Sequence, residues 1–241
     1  MEPRLIPEKA RVLSGSWLKL LAVIFMLIDH TGAVIVSRCP QVVLFTVLGK
    51  TFTLYKLMRL VGRVAFPLFA FLLVEGFSHT HDRRRYALRL GAFALVSEVP
   101  FDLAIKGQVL EWTHQNVFFT LCLGVLGLWA LEQFRGQGWK QLLSLLALYG
   151  VALFSRCDYG VRGYGFVLLL YLLRERPISR AIIGAGYLSS TWQAGLAFVP
   201  IAFYNGQRGF VRGCFLQYAF YLFYPLHLLL LFGLKGLLFG F

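Results

Sequence analysis

The sequence predicts an all-α, polytopic membrane helical bundle of about eight helices, with a range of about eight to ten, in one domain spanning residues 1–241. Three observations predict it. Hydrophobic residues make up 58% of the chain and mean hydropathy is +0.68, well above what a soluble domain needs to form a covered core. Apolar windows of about twenty residues recur along the chain, the length that crosses a hydrocarbon layer as a helix. Short loops containing Arg, Gly and Pro separate these windows, without the short alternating segments of a membrane barrel.

Charge follows the same plan. The chain carries 24 Lys+Arg against 11 Asp+Glu, a net +13, and the charges gather mostly at segment ends. That placement fits cytoplasmic flanks and anionic lipid headgroups, so membrane lipids are expected partners and nucleic acid is not. The loop bias supports both chain ends on the cytoplasmic side. Residues 1–16 are polar and mixed in charge, so a short cytoplasmic segment is expected there and a cleaved signal peptide is not. Cys39, Cys122, Cys157 and Cys214 lack metal-type spacing, and no metal is expected. A disulfide among Cys39, Cys157 and Cys214 and free buried thiols are the alternatives.

The first span, residues 17–37 (WLKLLAVIFMLIDHTGAVIVS), holds Asp29 and His30 in its second half. An acidic residue at membrane depth costs about 2.5–3.5 kcal/mol, so such groups line a protein-filled or wet cavity. Lys19 lies eleven residues before His30, close to three helical turns, which puts both on one face about 16 Å apart. Residues 39–57 are apolar but broken by Gly49, Lys50 and Lys56, and read as an interfacial or re-entrant helix.

The second span, 57–77, carries Arg59 and Arg63 on one face, with Pro67 expected to kink it and Glu75 near its end. The two arginines need anionic partners, either protein carboxylates or ligand phosphates. The run HTHDRRRYALR is a basic loop containing Arg83, Arg84 and Arg85, read as positive-inside flank and as a lip for phosphates. In the third span, 86–105, Glu98 and Asp102 share a face around Pro100. They read as base and orienter, or as structural partners of Arg59 and Arg63.

Gln115 and Asn116 open a fourth span ending at 134, where Asn116 also suits a helix cap. A fifth span covers 139–154, and the turn RCDYGVRGYG that follows it holds Asp158 and Tyr159. The sixth span is 164–174. The seventh, 181–204, is rich in Gly and Ser and reads as either interrupted or closely packed. The last, 215–234, bends at Pro225 and places His227 inward at depth.

These polar residues are too many and too mixed in sign for a simple pore ring, although an ion or proton path remains an alternative. His beside Asp, together with arginine pairs and a basic lip, suits proton abstraction and binding of a phosphate-bearing acyl donor.

The runs KLLAVIFMLIDHTGA, RLVGRVAFPLFAFLLVEGFSHT, RRRYALRLGAFALVSEVPFDL, HQNVFFTLCLG and FYLFYPLHLLLL, in that order, resemble the TraX family of conjugative pilin N-acetylases. That family resembles the acyltransferase-3 superfamily, whose first helix carries a basic residue, ten residues, then His, as Lys19 and His30 do. The superfamily's later arginines are three apart, whereas Arg59 and Arg63 are four apart.

The resemblance implies transfer of acetyl from acetyl-CoA to the N-terminal amine of a pilin or similar small membrane protein, in a bacterial inner membrane. His30 would be general base, with Asp29 holding its tautomer. Lys19, Arg59, Arg63 and Arg83 to Arg85 would hold the donor, while Glu98 and Asp102 would take the acceptor ammonium. Gln115, Asn116, Asp158, Tyr159 and His227 would bind substrate. A sugar or lipid hydroxyl as acceptor, and an ion-coupled transporter or pilus-assembly scaffold, are the alternatives. The transporter alternative calls for inverted repeats, and none is evident.

Overall fold

A computed structural model describes residues 5–47 and 49–240. The first helix, α1, is Gly15–Val34, and a hairpin of β1 (Val43–Val47) and β2 (Lys50–Thr53) follows it. The chain then forms α2 (Leu54–Gly62), α3 (Ala65–His79), α4 (Arg83–Ile105), α5 (Val117–Gln133), α6 (Gly138–Phe154) and α7 (Gly160–Leu172). After α8 (Pro177–Tyr187) come a 3-10 stretch (Ser189–Ala197), the short α9 (Phe198–Ala202) and the long α10 (Gly213–Phe239). The spans read from the sequence are thus largely helical, apart from residues 39–57, and among the described residues three stretches are long and apolar enough to cross a membrane: Gly15–Arg38, Leu54–His79 and Phe215–Phe239. The second is 56% buried inside the bundle, against 28% and 33% for the others, which makes α2 and α3 the central element.

The helix expected over 39–57 is instead mostly a hairpin. Val43, Thr46, Thr51 and Thr53 are β-branched, and Gly49 takes φ 73° at the turn, so local preference favours paired strands. Phe45 faces Phe52 across the ladder with ring centroids 4.9 Å apart. Helix α2 begins where Thr53 Oγ1 accepts the Lys56 N–H at 3.3 Å. The kink assigned to Pro67 falls earlier, at Arg63 and Val64, between α2 and α3. A proline ring clashes with the carbonyl four residues before it, which here is Arg63, so the break sits one turn upstream.

The apolar core runs through the middle of the bundle, with Leu18, Leu68, Phe71, Leu90, Phe166 and Leu228 buried together. Lipid tails are as apolar as these side chains, so close packing holds the helices together more than transfer from water does. Cys39, Cys122 and Cys157 are free thiols. The side chain of Cys214 lies outside the described residues, and so do residues 1–4 of the N-terminal segment.

Contacts along the helices give each a direction. The Ser16 N–H donates to Arg208 O at 3.0 Å, and Leu13 pairs with Tyr204, so α10 begins at the end of the bundle where α1 begins. Lys19 faces Phe220 while His30 meets His227, so the two helices run parallel. At the other end, Lys235 Nζ donates to Ala104 O at 3.5 Å, beside the last turn of α4.

The segment expected as a seventh crossing folds back on itself. A Cβ added at Gly184 would meet Phe198 and one at Gly195 would meet Ala185, so α8 and the following stretch form an antiparallel pair. The start of α1 and the end of α10 therefore lie at opposite ends of the bundle, correcting the expectation of both chain ends on one side. Tags placed ahead of α1 and after α10 are therefore expected to differ in their cleavage by external protease in intact cells, one cut and the other resistant.

Candidate functional site

A cavity of about 490 Å³ opens near the start of α1, among α1, α3, α4, α5 and α10. Along α1 its lining runs from Gly15 to Met26, about 16 Å at 1.5 Å per residue. Its mouth carries Lys19 and Arg208, and neither makes an ion pair among the described residues. Arg89 packs its guanidinium over the rings of Tyr86 and Tyr221, both of which line the cavity. Glu75, also lining it, is bonded to the Tyr204 hydroxyl. The deeper walls are apolar, with Leu90, Phe118 and Leu121.

Tyr224 is part of this lining, and it joins the cavity to a pair of imidazoles. Its ring packs edge-on against His30 at 5.8 Å and against His227 at 5.6 Å between centroids. His30 Nδ1 and His227 Nε2 are hydrogen-bonded at 2.7 Å, with ring planes 18° apart. On its other side His227 Nδ1 donates to the Phe223 carbonyl at 2.8 Å.

Asp29, one residue away, is turned to α2. Its Oδ2 accepts from Arg59 at 2.6 Å, and the approach is close because Gly62 has no side chain. Arg63 is hydrogen-bonded to the Tyr159 hydroxyl, and the Tyr159 ring stacks on Phe66. Tyr159 reaches that position from a left-handed backbone, φ 64°, uncommon outside glycine. Asp158 Oδ1 lies 3.7 Å from His114 Nε2, and its carbonyl accepts from Thr120 Oγ1.

Glu98 and Asp102 do not pair with Arg59 or Arg63. Glu98 Oε2 accepts from the backbone and side-chain N–H groups of Asn116, and its Oε1 has no partner among the described residues. Asp102 is fully buried, and its Oδ2 accepts the Glu111 N–H at 2.7 Å, closing the loop after α4. In that exposed loop, the Thr113 N–H held by Glu111 keeps the Glu111 carboxyl below its ordinary range.

A family model described as TraX protein matches residues 14–235, nearly the whole chain. The chain belongs to the TraX family. A curated relative, the probable fimbrial assembly protein FimC, serogroup H1, of Dichelobacter nodosus, is 30% identical over 251 aligned residues, covering 92% of this chain and 96% of that protein. No solved structure matches the chain.

Several positions expected to hold substrate in this TraX chain are occupied structurally. Asn116 is fully buried: its Oδ1 caps α5 by accepting the Phe118 N–H at 3.0 Å, and its Nδ2 donates to Ala94 O at 2.8 Å. Gln115 turns its amide toward the Glu111 carbonyl, while its backbone joins Arg156 and Asp158. Arg83 pairs with Glu132 at 3.6 Å, and Arg85 pairs with Asp82 at 3.0 Å. None of Arg83, Arg84 and Arg85 lines the cavity, whose basic groups are Lys19 and Arg208, with Arg89 behind the wall. Asp29 does not hold the His30 ring, since His227 does.

Arg208 and Tyr224 are the positions sequence reasoning missed. Tyr224 stands in the quoted FYPLH run, where only the histidine and proline drew attention. Arg208 lies in a loop between helices and gives no signal by spacing.

Gly62 is where the Asp29 to Arg59 pair depends on absence of a side chain, because a Cβ there would fall 2.2 Å from Asp29. Gly62→Ala is expected to destabilise the bundle by about 1–3 kcal/mol, the usual cost of overpacking, read as a lower unfolding midpoint in detergent.

Proposed function

We propose that this protein is a membrane-embedded acyltransferase of the bacterial cytoplasmic membrane, moving an acetyl group from acetyl-CoA to an amine, the N-terminus of a pilin or similar small membrane protein. The observation that carries this reading is the cavity lined by Lys19 and Arg208, which make no ion pair among the described residues, and by Tyr224, whose ring touches His30 and His227. Cations at the mouth suit the donor's phosphates, and the apolar walls suit its thioester arm. The pilus-related name of the relative supports the choice of acceptor. Kinship with the acyltransferase-3 superfamily belongs to the same proposal and rests on the spacing of Lys19 and His30.

The donor supplies an activated acetyl carbon. His30, packed against Tyr224 of the cavity lining, takes the proton that the attacking amine loses as its nitrogen bonds that carbon. The carbon–sulfur bond breaks, and the proton passes from His30 to the departing thiolate. Glu98 Oε1, held near Tyr224 through Asn116 and without a partner among the described residues, is the group to receive the acceptor ammonium and to take its first proton, which frees the amine to attack.

A second reading, an assembly scaffold without transfer chemistry, is favoured by the relative's description as a fimbrial assembly protein. Purified protein incubated with labelled acetyl-CoA and a pilin-like N-terminal peptide separates the two. Acetylated peptide is expected, with His30→Ala slower by about 10²–10⁴-fold at an unchanged unfolding midpoint. Lys19→Ala is expected to raise the donor KM several-fold while kcat stays within about threefold. Folded protein that neither binds nor consumes the donor supports the scaffold.

A further inference from the structure

The imidazole pair has a direction written into its hydrogen bonds. The Phe223 carbonyl has no proton to give, so the 2.8 Å contact to His227 Nδ1 requires a proton on that nitrogen. A neutral imidazole carries one proton, so His227 Nε2 is then a bare lone pair and accepts. The 2.7 Å contact between the rings is therefore donated by His30 Nδ1. His30 in turn has its proton on Nδ1, which leaves its Nε2 as the open lone pair.

We propose that His227 is a positioning residue that holds His30 in the Nδ1–H tautomer, so that His30 Nε2 is the atom that takes the proton. The inference rests on the acyl-transfer reading for its chemistry, although the tautomer stands on geometry alone. Three residues from α1 and α10 form the chain: His30 Nδ1–H to His227 Nε2, and His227 Nδ1–H to the carbonyl of Phe223. When Nε2 of His30 gains a proton, the imidazolium keeps its Nδ1–H bond to His227, and no atom need move. The proton then leaves by Nε2 to the thiolate, and both rings return to their starting state.

The surroundings favour this arrangement over a carboxylate partner. Asp29, the adjacent acid, is engaged by Arg59 at 2.6 Å. His227 is 5% exposed and is enclosed by Phe223, stacked at 5.0 Å, and by Tyr224. A ring so enclosed has its orientation set by packing as well as by the Phe223 carbonyl. Charged groups of the neighbouring elements, Arg59 on α2 and Glu98 on α4, make their bonds elsewhere.

The test uses the full-length protein in detergent with ¹⁵N-labelled histidine, and compares wild type, His227→Ala and His227→Gln. The side-chain oxygen of Gln can accept from His30 Nδ1 in place of the imidazole, whereas Ala offers nothing. Nitrogen NMR of wild type is expected to show His30 with a protonated Nδ1 and a bare Nε2, a readout independent of activity. His227→Ala is expected to lose this single tautomer, and to lower kcat by about 100-fold with the donor KM within about threefold. His227→Gln is expected to keep the tautomer and to recover at least about tenfold of that loss.

A proton on His30 Nε2 in wild type overturns the proposal, as does His227→Ala activity within about threefold of wild type. Equal loss in Ala and Gln variants with unchanged unfolding midpoints also overturns it. If wild type transfers no acetyl group, the acyl-transfer reading fails while the NMR result still decides the tautomer.

Discussion

Inside a bilayer no water is on hand for a polar side chain, and the plan of this protein follows from that constraint. Several costly groups near the site are each tied to another from a different helix. Asp29 of α1 takes Arg59 of α2, His30 of α1 takes His227 of α10, and Glu98 of α4 takes Asn116 at the head of α5. These ties also fix how the helices sit. A single residue without a side chain, Gly62, lets α1 and α2 approach closely enough for the first of them.

The bundle separates two environments along one axis. At the end where α1 begins, Lys19 and Arg208 line a cavity and make no ion pair among the described residues, while Glu75 in the same lining is bonded to Tyr204. At the other end, Glu98, Asp102, His114 and Asp158 cluster about the loops that lead into α5 and α7. Tyr224 and the imidazole pair stand between them.

Several residues with chemical potential do structural work instead, and the reason is depth. Asp102 and Asn116 are fully buried, so their polar atoms are drawn to the nearest backbone groups that lack partners, at a loop and a helix start. Arg83 and Arg85 lie at the bundle end, where the nearest acids, Glu132 and Asp82, engage them. The hairpin after α1 shows the same economy: Phe45, Thr46, Thr51 and Phe52 satisfy their backbone by pairing, where an isolated short helix would leave its ends open.

Composition and apolar periodicity determined the helical membrane character, the boundaries of most helices and the depth of Asp29, His30 and His227. Those properties are local, since run length and residue type decide them within one segment. Partner choice is not local. Whether His30 meets Asp29 or His227 depends on how α1 and α10 run relative to each other, and nothing within either segment states that they are parallel. The fold-back of α8, the opposite placement of the start of α1 and the end of α10, and the arrival of Arg208 beside Lys19 have the same origin. Only the tertiary structure decided them, because contacts between residues nearly two hundred positions apart depend on how all the helices pack together.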